Sequence, residues 1–319
     1  MFTTRSAVSV FALAMMVLGA SVVSSQNYPI KPIRIYTGSA GGGNDSASRL
    51  VASGISGPLG QPIVIENRGA TPLSMESVAK APPDGYSLIV AGDVMWLGPL
   101  LRGQPSEMGK FAPISMMASA PNILAIHPSL PVKSVKELIA LAKARPGELN
   151  YASGSTGAID HISAELFKSM TGVNIVRVPY KNIQLGTIGL VGGEVQVIFG
   201  GVTVMTPHIK SGKVRLLAVT SAQPSALVAG LPTLAGSGLP GFDLVGLDCI
   251  YTTAKTPAAI ITRLNQEIVR FLKTKEAQEK YLNLGADVIA SSPEEHATML
   301  NSRYTVIGKV IKDAGIKVD

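Results

Sequence analysis

The sequence predicts an α/β protein built as two lobes. Segments with strand-like patterns alternate with helical patterns through most of the chain, which is typical of parallel sheets flanked by helices. Roughly 290 residues remain beyond an N-terminal leader, and at ~100–200 residues per domain this length corresponds to two units. The alternation also stops at a proline-rich stretch and then starts again, which indicates a change of lobe near residues 126–131.

The N-terminal 25 residues predict a secretory signal. They carry one cation, Arg5, followed by an apolar run from Val8 to Leu18 and then by small residues that suit a signal peptidase. This run is shorter than the ~20 apolar residues that a membrane-spanning helix needs. We therefore expect residues 1–25 to be a cleaved signal peptide and the mature chain to be exported.

Two series of elements follow the signal, one for each lobe. In the first series the strand-like runs IRIY, PIVIE and YSLIVAG alternate with helices near 45–56 and 75–81. In the second series, helices near 134–144 and 159–170 alternate with NYAS, VNIVRVPY, VQVIF and RLLAVT. Each lobe is thus expected to hold its own mostly parallel sheet.

The rest of the chain is expected to return to the first lobe. A segment rich in Gly and Pro begins at GLPTLAG, and the last helix opens on the capping signature Ser292-Pro-Glu-Glu. The resulting division assigns 26–127 and 246–319 to lobe 1 and 128–245 to lobe 2.

Composition argues against several classes of function. The formal net charge of +7 is spread as single lysines and arginines, and aromatic residues make up only 5% of the chain, so no nucleic-acid partner is expected. The single cysteine, Cys249, cannot form an internal disulfide and is expected to be a buried small residue. No His, Cys, Asp and Glu set shows metal-ligand spacing, so we expect neither a metal nor another cofactor.

A glycine-rich turn between a strand and a helix occurs once in each half. Glycines allow the backbone to approach a ligand closely, and the first N–H groups of a helix have no internal partners, so each turn suits an anion. The plainer alternative is a capped connection without a ligand. The first turn assigns Ser39, Ala40, Gly41, Gly42, Gly43, Asn44 and Asp45 to ligand binding. The second assigns Ser153, Ser155, Thr156, Gly157, Ala158 and His161.

A third candidate segment follows the third strand. Asp93, Met95 and Trp96 stand at the carboxyl edge of the predicted sheet, where ligands of open α/β sheets bind. Trp96, the only tryptophan, either lines the cleft or packs between the strand and the next helix.

The sequence carries partial signatures of two enzyme classes. A dinucleotide fingerprint would need glycine where Ser46 or Asn44 stands, so its spacing fails. Ser155 with His161 and Asp160 suggests a hydrolase, but neighbouring residues of a helix point to different sides, which disfavours a relay. An exported serine hydrolase remains the alternative to a binding protein.

Sequence segments over nearly the whole mature chain carry a family resemblance. They include GGGND, ENR, PDGYSL, VPYK and PHIKSGK. In these segments the chain resembles the Bug/TctC family, the periplasmic substrate-binding proteins of tripartite tricarboxylate transporters. The resemblance implies a venus-flytrap periplasmic binding protein, monomeric and without catalytic activity, that delivers a small carboxylate to a permease of large and small membrane subunits. A ligand-sensing partner of a sensor kinase would use the same fold.

The resemblance also assigns roles to individual residues and shows where this chain departs from the pattern. It places Gly41–Gly43 and Asp45 in one carboxylate loop, Ser153, Gly157 and His161 in the other, and Tyr180 beside the cleft. Ala158 replaces an expected hydroxyl residue and Gly200 a frequent acidic one. These smaller side chains predict a larger or more apolar acid, such as an aromatic or medium-chain dicarboxylate.

Overall fold

The computed structural model describes residues 28–38, 40–68, 71–154 and 156–316. The predicted signal peptide lies outside the described residues. The strands are β1 (Ile33–Thr37), β2 (Ile63–Asn67), β3 (Ser87–Ala91), β4 (Phe111–Ile126), β5 (Asn150–Ser153), β6 (Val176–Pro179), β7 (Val197–Gly201), β8 (Arg215–Val219), β9 (Val245–Thr253) and β10 (Asp287–Val288). The helices are α1 (Gly43–Leu59), α2 (Thr71–Ala79), α3 (Val94–Leu101), α4 (Val135–Ala144), α5 (Ile159–Thr171), α6 (Ile183–Gly192), α7 (Val202–Lys210), α8 (Ala258–Leu272), α9 (Lys275–Asn283) and α10 (Pro293–Asp313).

The strands form one hydrogen-bonded path that bends into two sheets. The order is β2-β1-β3-β9-β4-β7-β5-β6, and β8 and β10 also pair with β4. In the first sheet β1, β2 and β3 are parallel, and in the second β5, β6 and β7 are parallel. Helices flank both sheets, so the predicted two-lobed α/β fold is confirmed.

Strand β4 belongs to both sheets. Its residues Phe111–Pro121 pair with β9, and Asn122–Ile126 pair with β7 and β8. The chain returns at Val245, which pairs with Pro121. This change of partner lies N-terminal to the stretch 126–131 where the prolines suggested a change of lobe. The lobe boundaries at 127/128 and 245/246 stay predictions.

Thr220 ties Asn122, where β4 changes sheet, to Leu244, the residue before β9. Its N–H donates to the Asn122 carbonyl oxygen at 2.9 Å, and its hydroxyl accepts the Asn122 N–H at 2.9 Å. Its carbonyl oxygen accepts the Leu244 N–H at 3.0 Å. One residue therefore fixes both chain crossings relative to each other.

Helix α10 connects the hydrophobic cores of the two sheets. It opens at Ser292 with the predicted capping box, which is confirmed. Near its start His296 contacts Tyr251 of β9, whereas Ile307 and Ile311 near its end pack in the same core as Phe167 of α5. The helix thus braces one lobe against the other. Cys249, beside Tyr251 in β9, is buried as expected.

Among the described residues, no helix combines the length and the apolar character that a bilayer crossing requires.

Candidate functional site

Strand register brings four loops to the junction between the sheets. In the first sheet Ala91, at the carboxyl end of β3, pairs with Cys249 in the middle of β9. In the second sheet Gly201, at the carboxyl end of β7, pairs with Asn122 where β4 changes sheet. Since β1 is parallel to β3 and β5 to β7, the loops after all four strands lie on the side where β4 and β9 pass between the lobes.

The first glycine-rich loop is braced by Asp45. Gly41 has φ +78°, and its N–H donates to Asp45 Oδ2 at 2.8 Å, while Asn67 Nδ2 donates to Asp45 Oδ1 at 3.0 Å. Burial raises the pKa of Asp45, but hydrogen bonds from Arg49, Gly41 and Asn67 outweigh it and lower the pKa to about 2. Asp45 is therefore an ionised acceptor turned into its own loop, while Ala40, Gly41, Gly42 and Gly43 are exposed.

The second loop repeats this arrangement. Gly157 also has φ +78°, and its N–H donates to His161 Nδ1 at 3.0 Å. In both loops the left-handed glycine precedes the N-cap residue, and its acceptor is the third residue of the helix. The similarity between the two glycine-rich turns in the sequence thus corresponds to a repeated backbone structure.

Neither helix behind these loops has a side-chain cap. Their N-cap residues are Gly42 and Ala158, which carry no hydrogen-bonding side chain. Four other helices have such caps, provided by Ser134, Asn182, Thr274 and Ser292, whereas α3, α7 and α8 also lack one. The N-termini of α1 and α5 therefore keep backbone donors and a positive dipole end for an anion.

His161 is neutral in the folded protein. Burial lowers its pKa to about 4, and the nearby Arg177 acts in the same direction. Because Nδ1 accepts the Gly157 N–H, the neutral ring carries its proton on Nε2. Protonation of Nδ1 would remove the acceptor that shapes this loop.

We expect the free energy of unfolding to fall as the pH drops from about 6.5 to about 4. An unfolded histidine titrates near 6.5, so within this window the unfolded chain binds a proton that folded His161 does not. Denaturant unfolding measured between about pH 7 and about pH 4 gives the slope of the free energy of unfolding against pH. His161→Gln should reduce the slope, although buried His296, whose pKa is lowered to about 3, contributes with the same sign. An unchanged slope in His161→Gln would contradict this assignment.

Arg177 of β6 organises the second loop and was missed from the sequence. Its Nε donates to Ser153 Oγ at 2.7 Å, its Nη2 to the Gly154 carbonyl oxygen at 3.2 Å and its Nη1 to Thr156 Oγ1 at 3.2 Å. Because the Thr156 hydroxyl oxygen accepts the bond from Arg177, its own proton can be donated to another group. A single cation in an otherwise apolar strand was the available signal.

The Asp and His that suggested a hydrolase do not form a relay. Asp160 Oδ2 accepts the Gly154 N–H at 2.5 Å, and His161 Nδ1 accepts the Gly157 N–H. Each side chain is engaged with the loop backbone. Their geometry is that of a loop brace, and Ser155 lies outside the described residues.

A pocket of about 350 Å³ lies between α3 and the second loop. Its lining residues are Asp93, Val94, Leu97, Gly98, Leu101, Arg102, Thr156, Gly157, Ala158 and Ile159. The structure thereby brings four of the sequence-predicted residues to one cavity, Asp93 from one sheet and Thr156, Gly157 and Ala158 from the other. Its volume is in the range of small-molecule sites, ~300–1,000 Å³.

Asp93 forms a buried ion pair at the edge of this pocket. Its Oδ2 accepts the Leu247 N–H at 3.1 Å, and its Oδ1 lies 3.7 Å from Arg303 Nη1 of α10. Arg303 Nη1 also donates to the Val245 carbonyl oxygen at 2.7 Å. Burial raises the pKa of Asp93, and the Arg303 charge opposes this. Asp93 Oδ1 has no hydrogen-bond partner among the described residues.

The structure does not bring Met95 and Trp96 into the pocket. They are 0% and 2% exposed and pack in the core, with the Trp96 ring centroid 6.5 Å from that of Tyr304. Trp96 instead lines a separate cavity of about 450 Å³ together with Tyr304 of α10.

Tyr180 and Gly200 also lie outside the residues that line this pocket. The Tyr180 hydroxyl donates to Glu194 Oε2 at 3.0 Å, and a Cβ at Gly189 would lie 2.2 Å from that hydroxyl, so the phenol packs on α6. Gly200 is buried beneath Met205, whose Cε would lie 2.5 Å from an added Cβ. Ser39 lies outside the described residues, and in the described part of the chain no group of three or more His, Cys, Asp or Glu is arranged to hold a metal.

Comparison with known proteins relates this geometry to a family. The model of the tripartite tricarboxylate transporter family receptor, TctC, matches residues 47–316. Protein BugT of Bordetella pertussis is 31% identical over 306 residues, which cover 94% of each chain. An R. palustris protein solved with adipate is 32% identical, with a TM-score of 0.71 over 91% of this chain and 99% of that one. MatC from Rhodopseudomonas palustris, solved with bound malate, is 25% identical, with a TM-score of 0.67 over 89% of this chain and all of that one.

The relatives and the site both indicate a binding protein. The family is one of receptors, and BugD, a solved relative at 28% identity, is a periplasmic binding protein. With a family model that spans most of the chain and a relative at 31% identity over nearly its full length, this protein belongs to the TctC family of periplasmic solute-binding receptors.

Proposed function

We propose that this receptor works in the periplasm, captures a small carboxylate between its lobes and delivers it to a membrane permease of one large and one small subunit. The observation that carries the proposal is the pair of uncapped helix N-termini, built on one backbone plan and placed at the same junction. The adipate and malate of two relatives make dicarboxylates the first candidates. The family supports the permease partnership, and a sensing role would use the same capture step.

The loop chemistry suits a carboxylate better than a cation or a neutral ligand. Backbone N–H groups and a helix dipole favour negative charge, and each is worth most where water is excluded. At the second loop the Thr156 hydroxyl and the Arg102 guanidinium border the same cavity. The acidic side chains near the loops, Asp45 and Asp160, are bonded to loop amides and do not compete as ligands.

Replacing Gly43 with proline is expected to weaken carboxylate binding about tenfold or more. Gly43 is the first residue of α1, where proline fits and removes only one backbone donor, and Gly42 before it already has the extended conformation that proline requires. An added Cβ at Gly43 meets no atom within 4 Å. Losing one hydrogen bond to a charged group costs about 1.5–3 kcal/mol. Isothermal titration calorimetry with adipate and with malate measures the effect.

The matched control is Lys275→Pro, the same change at the first residue of α9. Lys275 is exposed and follows Thr274, the N-cap residue, whose backbone is extended. Binding should be unchanged in this variant. Equal affinities in Gly43→Pro and the parent, for a ligand that does bind, would mean that the N-terminus of α1 does not hold the acid.

A further inference from the structure

A second cavity, of about 450 Å³, lies between α3, the start of β4 and α10. Its lining residues are Trp96, Ser106, Met108, Gly109, Phe111, Pro113, Ala297, Leu300, Asn301 and Tyr304. None of them lines the pocket at the second loop, although α3 contributes to both cavities. The volume is in the range of small-molecule sites, ~300–1,000 Å³, so this cavity can hold a ligand of its own.

The inner part of the cavity is aromatic. Trp96 and Phe111 are its most buried lining residues, 2% and 6% exposed, and so lie at its base. The Tyr304 ring stands beside Trp96, with the two ring planes inclined at 57°. Half-buried Met108 and Leu300 extend the apolar wall. A ligand ring can therefore meet aromatic side chains in two orientations, stacked on one and edge-on to the other.

The mouth of the cavity, formed by the exposed residues Ser106, Gly109 and Asn301, is polar but uncharged. Ser106 Oγ accepts the Met108 N–H at 3.3 Å, so its own proton can be donated to another group. The Asn301 amide can both donate and accept. These groups suit the polar end of a neutral molecule whose ring points inward.

Charged side chains near this cavity are engaged elsewhere. Among the described residues that line it there is no Asp, Glu, Lys or Arg. Glu107 and Lys110, which flank two of the lining residues, pair with each other at 2.7 Å. A ligand carboxylate would lose hydration here without gaining a cation, which is unfavourable. The cavity therefore suits a different class of molecule from the anions that the second loop suits.

A buried ion pair holds together the two helices that wall this cavity. Arg303, next to Tyr304 in α10, lies 3.7 Å from Asp93, the N-cap residue of α3. Both side chains are at most 10% exposed. The walls are thus fixed before a ligand arrives, so binding does not have to order them.

We infer that the cavity between α3, β4 and α10 is a second ligand site, which takes a small uncharged aromatic molecule with one polar group. The inference goes beyond the proposed function and does not depend on it, because the two cavities share no lining residue. Trp96 is the only tryptophan of the chain, so its fluorescence reports on this site alone.

Titration of the purified protein with benzamide, benzoate and cyclohexanecarboxamide, followed by Trp96 fluorescence and by calorimetry, tests the inference. Benzamide and benzoate have nearly the same shape but differ in charge, and cyclohexanecarboxamide keeps the amide without the aromatic ring. We expect benzamide to bind at this site about tenfold or more tightly than benzoate. It should bind about twofold to tenfold more tightly than cyclohexanecarboxamide.

No binding of benzamide, or an equal effect of benzoate on Trp96 fluorescence, would overturn the inference. Equal affinities for the two amides would overturn the aromatic class of the ligand. Each of these results would leave the titrations with adipate and malate, and with them the proposed function, unaffected.

Variants assign the binding to this cavity. Gly109→Leu places a side chain at the mouth, where an added Cβ meets no atom within 4 Å, so this variant should fold and lose the response to benzamide. Ala297→Leu, which fills the cavity from α10, should have the same effect. The control Thr298→Leu changes the next residue of α10, which is exposed and does not line the cavity, and should leave the affinity unchanged.

Benzoate held by the pocket at the second loop would still bind in Gly109→Leu, and this separates the two sites. Unchanged affinity for benzamide in both blocking variants would place its binding elsewhere and overturn the assignment.

Discussion

Replacing Arg303 with methionine is expected to lower the free energy of unfolding by about 3–5 kcal/mol. Arg303 is 5% exposed and provides the positive charge beside the buried Asp93 carboxylate, whose other oxygen accepts the Leu247 N–H of β9. Methionine fills similar space but leaves that carboxylate buried without a partner, and it also removes the donor to the Val245 carbonyl oxygen. Urea unfolding followed by circular dichroism measures the loss.

A double-mutant cycle separates the ion pair from simple packing. Arg303→Met combined with Asp93→Asn removes both charges, and it should be more stable than Arg303→Met alone. If the two losses simply add, the pair does not couple, and the effect of Arg303 is one of packing.

Replacing Gly157 with alanine is expected to lower the free energy of unfolding by about as much as Arg303→Met does. It should also abolish high-affinity binding of the carboxylate. Its φ of +78° costs a non-glycine residue about 1–2 kcal/mol. The new Cβ would also lie 2.3 Å from Leu101 Cδ1, and overpacking of this kind costs about 1–3 kcal/mol. Both effects displace the second loop from α3, so the pocket between them loses its shape.

Urea unfolding and calorimetric titration with adipate check this expectation, and Leu101→Ala supplies the control. The double variant Gly157→Ala with Leu101→Ala relieves the contact but not the backbone strain, so its loss of unfolding free energy should be smaller than the sum of the two single losses. Strictly additive losses would contradict the contact, and wild-type affinity in Gly157→Ala would mean that this loop takes no part in binding.

Local patterns predicted most of the helices and strands because each element carries its own signal. The helix predicted over 159–170 is observed as Ile159–Thr171, and the capping residues after Ser291 mark the start of α10. The change of sheet within β4 could not be predicted in this way. Pro121 normally argues against a strand interior, but here it stands where β4 leaves one sheet for the other, so the strand continues through it.

The glycine loops were predictable and the residues around them were not. Gly41 and Gly157 stand in sequence patterns that call for a left-handed backbone at a helix start. Arg303 meets Asp93 across 210 positions of the chain, and the burial of Trp96 depends on Tyr304 of α10, which is equally remote. Contacts of this kind arise only from the packing of distant elements, so no local pattern could indicate them.

The hydrogen bonds of Thr220 to Asn122 and Leu244 have a consequence for how the chain folds. β4 cannot pair with β9 until more than a hundred intervening residues have been placed, and closing so long a loop is slow. Once residues 122–244 have folded, however, Thr220 holds Asn122 and Leu244 beside each other, and this delivers β4 and β9 side by side. We therefore expect the segment 122–244 to act as an internal template, so that the sheet that bears the first glycine loop is completed last.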